Sequence, residues 1–303
     1  MKWKTILIDY KLFLELEKGL SKNTVISYIS DIKKLSNYMI EDLEIQDIRE
    51  VCREDLQLFI EQMVSDIGLN PRTQARIISS IKSFFNYVLY EGHLETSPAE
   101  LLETPKISRT LPSVLSGEEI DILINNIEMT DEGYRNKAIL ETLYGCGLRV
   151  SELTELKISD LFMEEEFLKI VGKGNKHRFV PVNRHVIKLI NIYLNDIRVH
   201  IRPKKGDEDI LFLNRRGGRL SRVMIFNIIK DLAQKSNIKK NIGPHTFRHS
   251  FATALLNGGA DISSIQQMLG HENITTTEIY MHLNREKLKK TIEKYHPRSK
   301  RFL

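Results

Sequence analysis

Cysteine is scarce in this chain, with only Cys52 and Cys146 among 303 residues. The two lie far apart and fit no metal-binding or redox spacing, which fits reduced thiols in the cytosol. No apolar run approaches the length that spans a bilayer, and Met1-Lys2-Trp3 leads into an amphipathic helix rather than a signal peptide. The expected location is therefore cytoplasmic, without a membrane partner. Internal repeats and low-complexity segments are absent as well.

Positive charge, by contrast, is present and clustered. The formal net charge is only +5, yet basic residues gather at Lys169, Lys173, Lys176 and Arg178, at Arg198, Arg202, Lys204 and Lys205, at Arg215, Arg216, Arg219 and Arg222, and from Arg285 to Arg301. Any one such cluster can be a solvated face. Four of them in the C-terminal two-thirds favour a polyanion, and nucleic acid above all.

The length suits two domains. The first hundred residues read as helices: a periodic stretch from Trp3 to Lys18 stopped by Gly19, and a second with Val25, Tyr28, Ile29, Ile32, Leu35 and Met39 on one face. A third is expected over Glu54 to Ser65. The fourth opens with Asn70 as cap and Pro71 in the first turn, and it carries Ile77, Ile78, Ile81, Phe84, Phe85, Val88 and Leu89 before Gly92. Pro98, Pro105 and Pro112 then interrupt the periodicity. We accordingly expect a four-helix domain over 1–104, a linker over 105–113 and a second domain over 114–303. That second domain starts at a capping box, Ser116 to Glu119, and is mostly helical. Its exception is Phe167–Val171 and His177–Val182, which alternate as the arms of an antiparallel β-hairpin with Lys173 at the tip. The predicted fold class is mainly α with this small β element.

Candidate chemistry sits in three places. Gly145-Cys146-Gly147-Leu148-Arg149 sets an arginine between a glycine break and a helix that Ser151 could cap. An arginine fork near free helix N–H groups suits phosphate oxygens. His245 and Arg248, three apart after Gly243-Pro244, share a helical face. His271 and Tyr280 follow, and the capping-box spacing of Thr275 and Glu278 predicts a short helix beginning at Thr276 that carries the tyrosine. Each residue alone has an ordinary reading as a surface ion-pair member, a solvated turn or a packing residue. A zinc site on His245, His249 and His271 is the competing chemical reading, but the stretch lacks the glutamate of His-Glu-x-x-His, and Phe247 and Phe251 suggest that His249 faces the core or packs beside it. Gly172-Lys173-Gly174 is no phosphate-cradling loop, since the spacer and following Ser or Thr are missing.

With Arg149, Lys173, His245, Arg248, His271 and Tyr280 in that order, the chain resembles the tyrosine recombinases, and by its size their Xer branch. The stretch from Leu20 to Thr24 with Tyr28 and Asp31 resembles the start of that family's core-binding domain, and Leu111 to Ser116 its entry into the catalytic domain. The resemblance implies a cofactor-free and metal-free transesterification. Tyr280 would be the nucleophile that forms a 3′-phosphotyrosine, Arg149, Arg248 and His271 would neutralise the phosphate, His245 would accept a proton or hydrogen bond, and Lys173 would be the general acid. It further implies a double-stranded recombination site as partner, a homo- or heterotetramer on two sites linked by exchange of the tail helix 283–303, and a DNA translocase as a possible activator. Resolution of chromosome dimers is the expected role. The alternatives are a mobile-element integrase, a type IB topoisomerase-like relaxing enzyme, and a non-catalytic architectural protein.

Overall fold

The computed structural model describes residues 2–106, 113–172, 177–270 and 281–300, without the side chains of 67, 281–287 and 300. The chain divides into two compact units, Met1–Thr110 and Leu111–Leu303.

The first unit holds α1 (Trp3–Leu12), α2 (Lys22–Glu41), α3 (Arg53–Ile67) and α4 (Pro71–Tyr90). α1 runs on through one π-helical turn, Phe13–Glu17, before Gly19 turns the backbone left-handed at φ +56°. Ser21 caps α2 by accepting from the Thr24 N–H, and Asn70 caps α4 by accepting from the Thr73 N–H at 2.9 Å, with Pro71 in the first turn. The third helix is longer than its apolar pattern predicts. Asp55 reaches back to the Cys52 N–H at 2.9 Å and fixes the start at Arg53, while Gly68 ends it in the left-handed region. The buried faces meet in a core that includes Ile6, Tyr10, Ile32, Leu35, Ile81, Phe84 and Phe85.

The second unit contains α5 (Gly117–Asn125), α6 (Asp131–Cys146), α7 (Val150–Thr154), β1 (Leu161–Phe162), β2 (Phe167–Val171), β3 (His177–Pro181), α8 (Arg184–Ile192), α9 (Arg222–Lys235), α10 (Pro244–Gly258), α11 (Ile262–Leu269), α12 (Met281–Tyr295) and α13 (Pro297–Lys300). The three strands form one antiparallel sheet in the order β1-β2-β3, with Leu168 opposite Val180 and Ile170 opposite Arg178. β1 has only two residues, too few for alternation to reveal it. α6 is the central element: Ala138, Ile139, Leu140, Leu143, Tyr144 and Cys146 are all buried, and it packs on α8 and α10.

The C-terminal segment joins this same core. α12 packs on α10, α11 and β3 and buries Leu288 and Ile292. His296 is fully buried between the rings of Tyr144 and Phe251, and burial pushes its imidazole down to about 3, so it is neutral. Beside it the buried Arg298 pairs with Glu141 at 3.0 Å and with Asp121. Among the described residues no helix is long and apolar enough to cross a membrane.

Candidate functional site

Arg149 owes its position to a glycine. α6 ends at Gly147 with φ +61°, and a Cβ there would lie 2.4 Å from the Phe251 ring, so neither the turn nor the packing admits a larger residue. The chain then extends through Arg149, which is itself the N-cap of α7. This corrects the expectation of a Ser151 cap. The side chain of Glu152 accepts from the Arg149 N–H at 2.7 Å, so a carboxylate three residues on satisfies the helix start and draws it two residues earlier.

Glu152 is the hub of the site. It is buried, and its Oε1 accepts from Arg149 at 2.8 Å and from Arg178 at 2.7 Å, while its Oε2 accepts a second bond from Arg178 at 2.8 Å. Arg248 stands 3.8 Å from the same Oε2. Burial alone would raise the Glu152 carboxyl, but the hydrogen bonds and charge of Arg178, then of Arg149, hold it below its ordinary range. Glu152 is thus ionised at neutral pH. Burial, then the charge of Arg149, pushes Arg248 down to about 10, with Glu152 opposing, and the guanidinium stays protonated near neutrality.

Arg248 comes from the second turn of α10. It donates to the Gly147 carbonyl at 2.8 Å and to the Leu269 carbonyl at 2.5 Å, and Arg149 lies 3.4 Å from the Gly270 carbonyl. The two predicted arginines, 99 residues apart in sequence, therefore meet across the end of α11, immediately before His271. His245 lies one turn before Arg248 in the first turn of α10 and is exposed. His249 is exposed too, so of the two expected placements the core-facing one is corrected: Phe247 and Phe251 fill the inward positions, and residue 249 falls between them on the other side of the helix. Lys173, His271 and Tyr280 lie outside the described residues, as does the helix expected at Thr276.

Three guanidinium groups around one carboxylate leave two positive charges in excess within this set. Arg149 keeps 39 % of its side chain exposed, so part of that excess faces solvent. Such an arrangement has the charge and the donors to bind a phosphate diester and to stabilise charge building on its oxygens. Arg178 is the member that sequence reasoning missed, having been read as one of a basic cluster. The signal was there: in β3 it alternates with Val180 and lies opposite the buried Ile170, so an arginine occupies an inward position.

Known proteins resemble this chain over nearly its whole length. Residues 113–287 match the phage integrase family, and residues 7–92 match the phage integrase N-terminal SAM-like domain. Tyrosine recombinase XerD of Staphylococcus haemolyticus is 40 % identical over 297 residues, covering 98 % of this chain and all of that protein. The fold is shared with XerH site-specific recombinase bound to palindromic difH substrate (TM-score 0.67, 24 % identity, 89 % of this chain and 79 % of that one). It is also shared with the Tn1549 transposon integrase in complex with transposon right end DNA (TM-score 0.71, 20 % identity, 95 % and 99 %). The chain belongs to the phage integrase family of tyrosine recombinases, enzymes that break and rejoin DNA.

Proposed function

We propose that this recombinase acts at a specific double-stranded site in the cytoplasm and resolves chromosome dimers, with Tyr280 as its nucleophile. The observation that carries the chemistry is the convergence of Arg149 and Arg248, over a shared buried carboxylate, at the point where the chain enters His271. The Tyr280 hydroxyl attacks the scissile phosphorus, the bond to the 5′-oxygen breaks, and a 3′-phosphotyrosine remains. A phenol with a pKa of about 10 is a poor nucleophile at neutral pH, so it needs a proton acceptor and an activated phosphate. His245 takes up or shares the phenolic proton. Arg149, Arg248 and His271 neutralise the non-bridging oxygens, and Lys173 gives a proton to the departing 5′-oxygen. Because the bond energy is held in the phosphotyrosine, rejoining needs neither ATP nor a cofactor.

The likeness to XerD over nearly the whole chain supports the role in dimer resolution. We propose a tetramer on two sites, alone or with a second recombinase and open to activation by a DNA translocase, in which the 283–303 tail exchanges between protomers. Exchange would require Leu288, Ile292 and Arg298 to leave their own unit and fill the matching places of a neighbour.

The direct test is Tyr280→Phe on a nicked duplex. Wild-type protein should trap a covalent adduct that survives denaturation, and the variant should bind the duplex with unchanged affinity and trap none. An adduct formed by the phenylalanine variant would remove Tyr280 from the reaction.

A further inference from the structure

We infer that Arg178 is a positioning residue for cleavage, a single side chain that locks Glu152, and through it Arg149, to the strand β3 that follows Lys173 in sequence. The inference rests on the recombinase reading above and adds a residue to it. All three nitrogens of the Arg178 guanidinium are engaged by protein. Two of them clasp both oxygens of Glu152, at 2.7 and 2.8 Å, and Nε donates to the Met268 carbonyl at 2.9 Å. Only 14 % of the side chain is exposed. It is therefore no arm for the phosphate, unlike Arg149, which uses the same carboxylate and still faces solvent.

Its three attachments lie on three separate stretches of chain. Arg178 itself belongs to β3 and stands five residues after Lys173. Glu152 belongs to α7, whose N-cap is Arg149. Met268 belongs to α11, which runs into Gly270 and then His271, and Gly270 packs so closely that a Cβ there would lie 3.0 Å from the Arg178 Cδ. A planar fork fixes both distance and angle between such stretches, and a lysine ammonium cannot do so. Removing the fork would leave Glu152 with Arg149 and the more distant Arg248 as its charged partners. Both guanidinium groups would then be drawn further onto the carboxylate and away from where a phosphate must sit. Small displacements of this kind are costly in rate because the reacting groups must be held close to attack geometry.

The test uses full-length protein and a duplex recovered by binding selection from a random pool, nicked within its spacer. Arg178→Lys should slow adduct formation at saturating protein by about ten- to a hundredfold while leaving Kd and the melting temperature close to wild type. Arg178→Ala should be slower still and should regain rate when guanidinium ion is added. The double variant with Glu152→Gln should cost no more than the worse single change, since the two residues act as one unit. A wild-type rate in Arg178→Lys, or additive losses in the double variant, would overturn the inference. So would an alanine variant that folds and binds DNA but gains nothing from guanidinium. If wild-type protein itself forms no adduct, the recombinase reading fails and takes this inference with it; if it does and Arg178→Lys matches it, this inference fails alone.

Discussion

Each unit of the molecule buries a carboxylate against arginine, and the two sites are built to different balances. In the N-terminal unit Asp31, 2 % exposed, accepts from Arg76 and from the Ser80 hydroxyl at 2.8 Å, which joins α2 to α4. One negative charge meets one positive charge and a neutral donor. In the catalytic unit Glu152 meets three guanidinium groups. The C-terminal anchor is unbalanced in the opposite sense, since Arg298 is faced by two carboxylates, Glu141 and Asp121. An excess of partly buried positive charge suits a ligand of opposite sign that completes the balance. Of the three clusters only the one at Glu152 carries excess positive charge, which is what makes it the candidate site.

The strongest way to break that comparison is to remove a charge from each side and ask what is lost. Arg248→Ala and Arg149→Ala should each lower the cleavage rate by about a hundredfold or more, the scale expected for a preorganised donor to developing charge. The adduct rate on a nicked duplex at saturating protein measures this. A rate near wild type for either would return that arginine to the class of surface ion-pair members.

Asp31→Asn should produce the opposite phenotype. It leaves the Ser80 hydroxyl a partner but removes the charge that holds Arg76, whose side chain is 41 % exposed. Solvent takes up part of that loss, so the expected cost is about 1–2 kcal/mol rather than the larger penalty of a fully buried broken pair. Chemical denaturation should show the loss, and the cleavage rate of the folded protein should not change. A slowed rate at unchanged stability would show that the N-terminal carboxylate is tied to chemistry after all.

What the sequence disclosed follows the same division between periodic and three-dimensional information. The helices of the first unit were legible because apolar spacing, Asn70-Pro71 and the stop at Gly19 are local signals, and the Ser116–Glu119 box was legible for the same reason. The two-residue β1 carries no period to read. Arg149 and Arg248 stood out by their motifs, but nothing local could show that they meet at the end of α11, because that contact is made by the packing of α10 on α6. Arg178 and the Arg149 cap were missed because both depend on Glu152, whose importance comes from burial and from partners remote in sequence. In the basic clusters, Arg198 bonds the carbonyls of Glu208, Ile210 and Leu211, and Arg219 pairs with Asp207 and Glu155. Counting charges from sequence therefore overstates what is free to meet DNA.

A further effect concerns acid, and it isolates the carboxylate from its arginines. Because the folded state holds Glu152 below its ordinary range, the group contributes stability that is fully present above the unfolded carboxylate pKa of about 4.3 and is lost as pH falls through the lower folded value. Glu152→Gln removes that contribution at every pH. At pH 7 the variant should therefore be less stable than wild type by about 2 kcal/mol, the scale of hydrogen bonds to a charged group, and the gap should narrow steadily below about pH 4. Urea denaturation of both proteins from pH 7 to pH 3 measures it. A gap that stays constant down to pH 3 would mean that the glutamine loses shape rather than charge. Equal stability at pH 7 would mean that the three arginines repel one another too weakly for Glu152 to be the group that gathers them, and the contrast with Asp31 would then collapse.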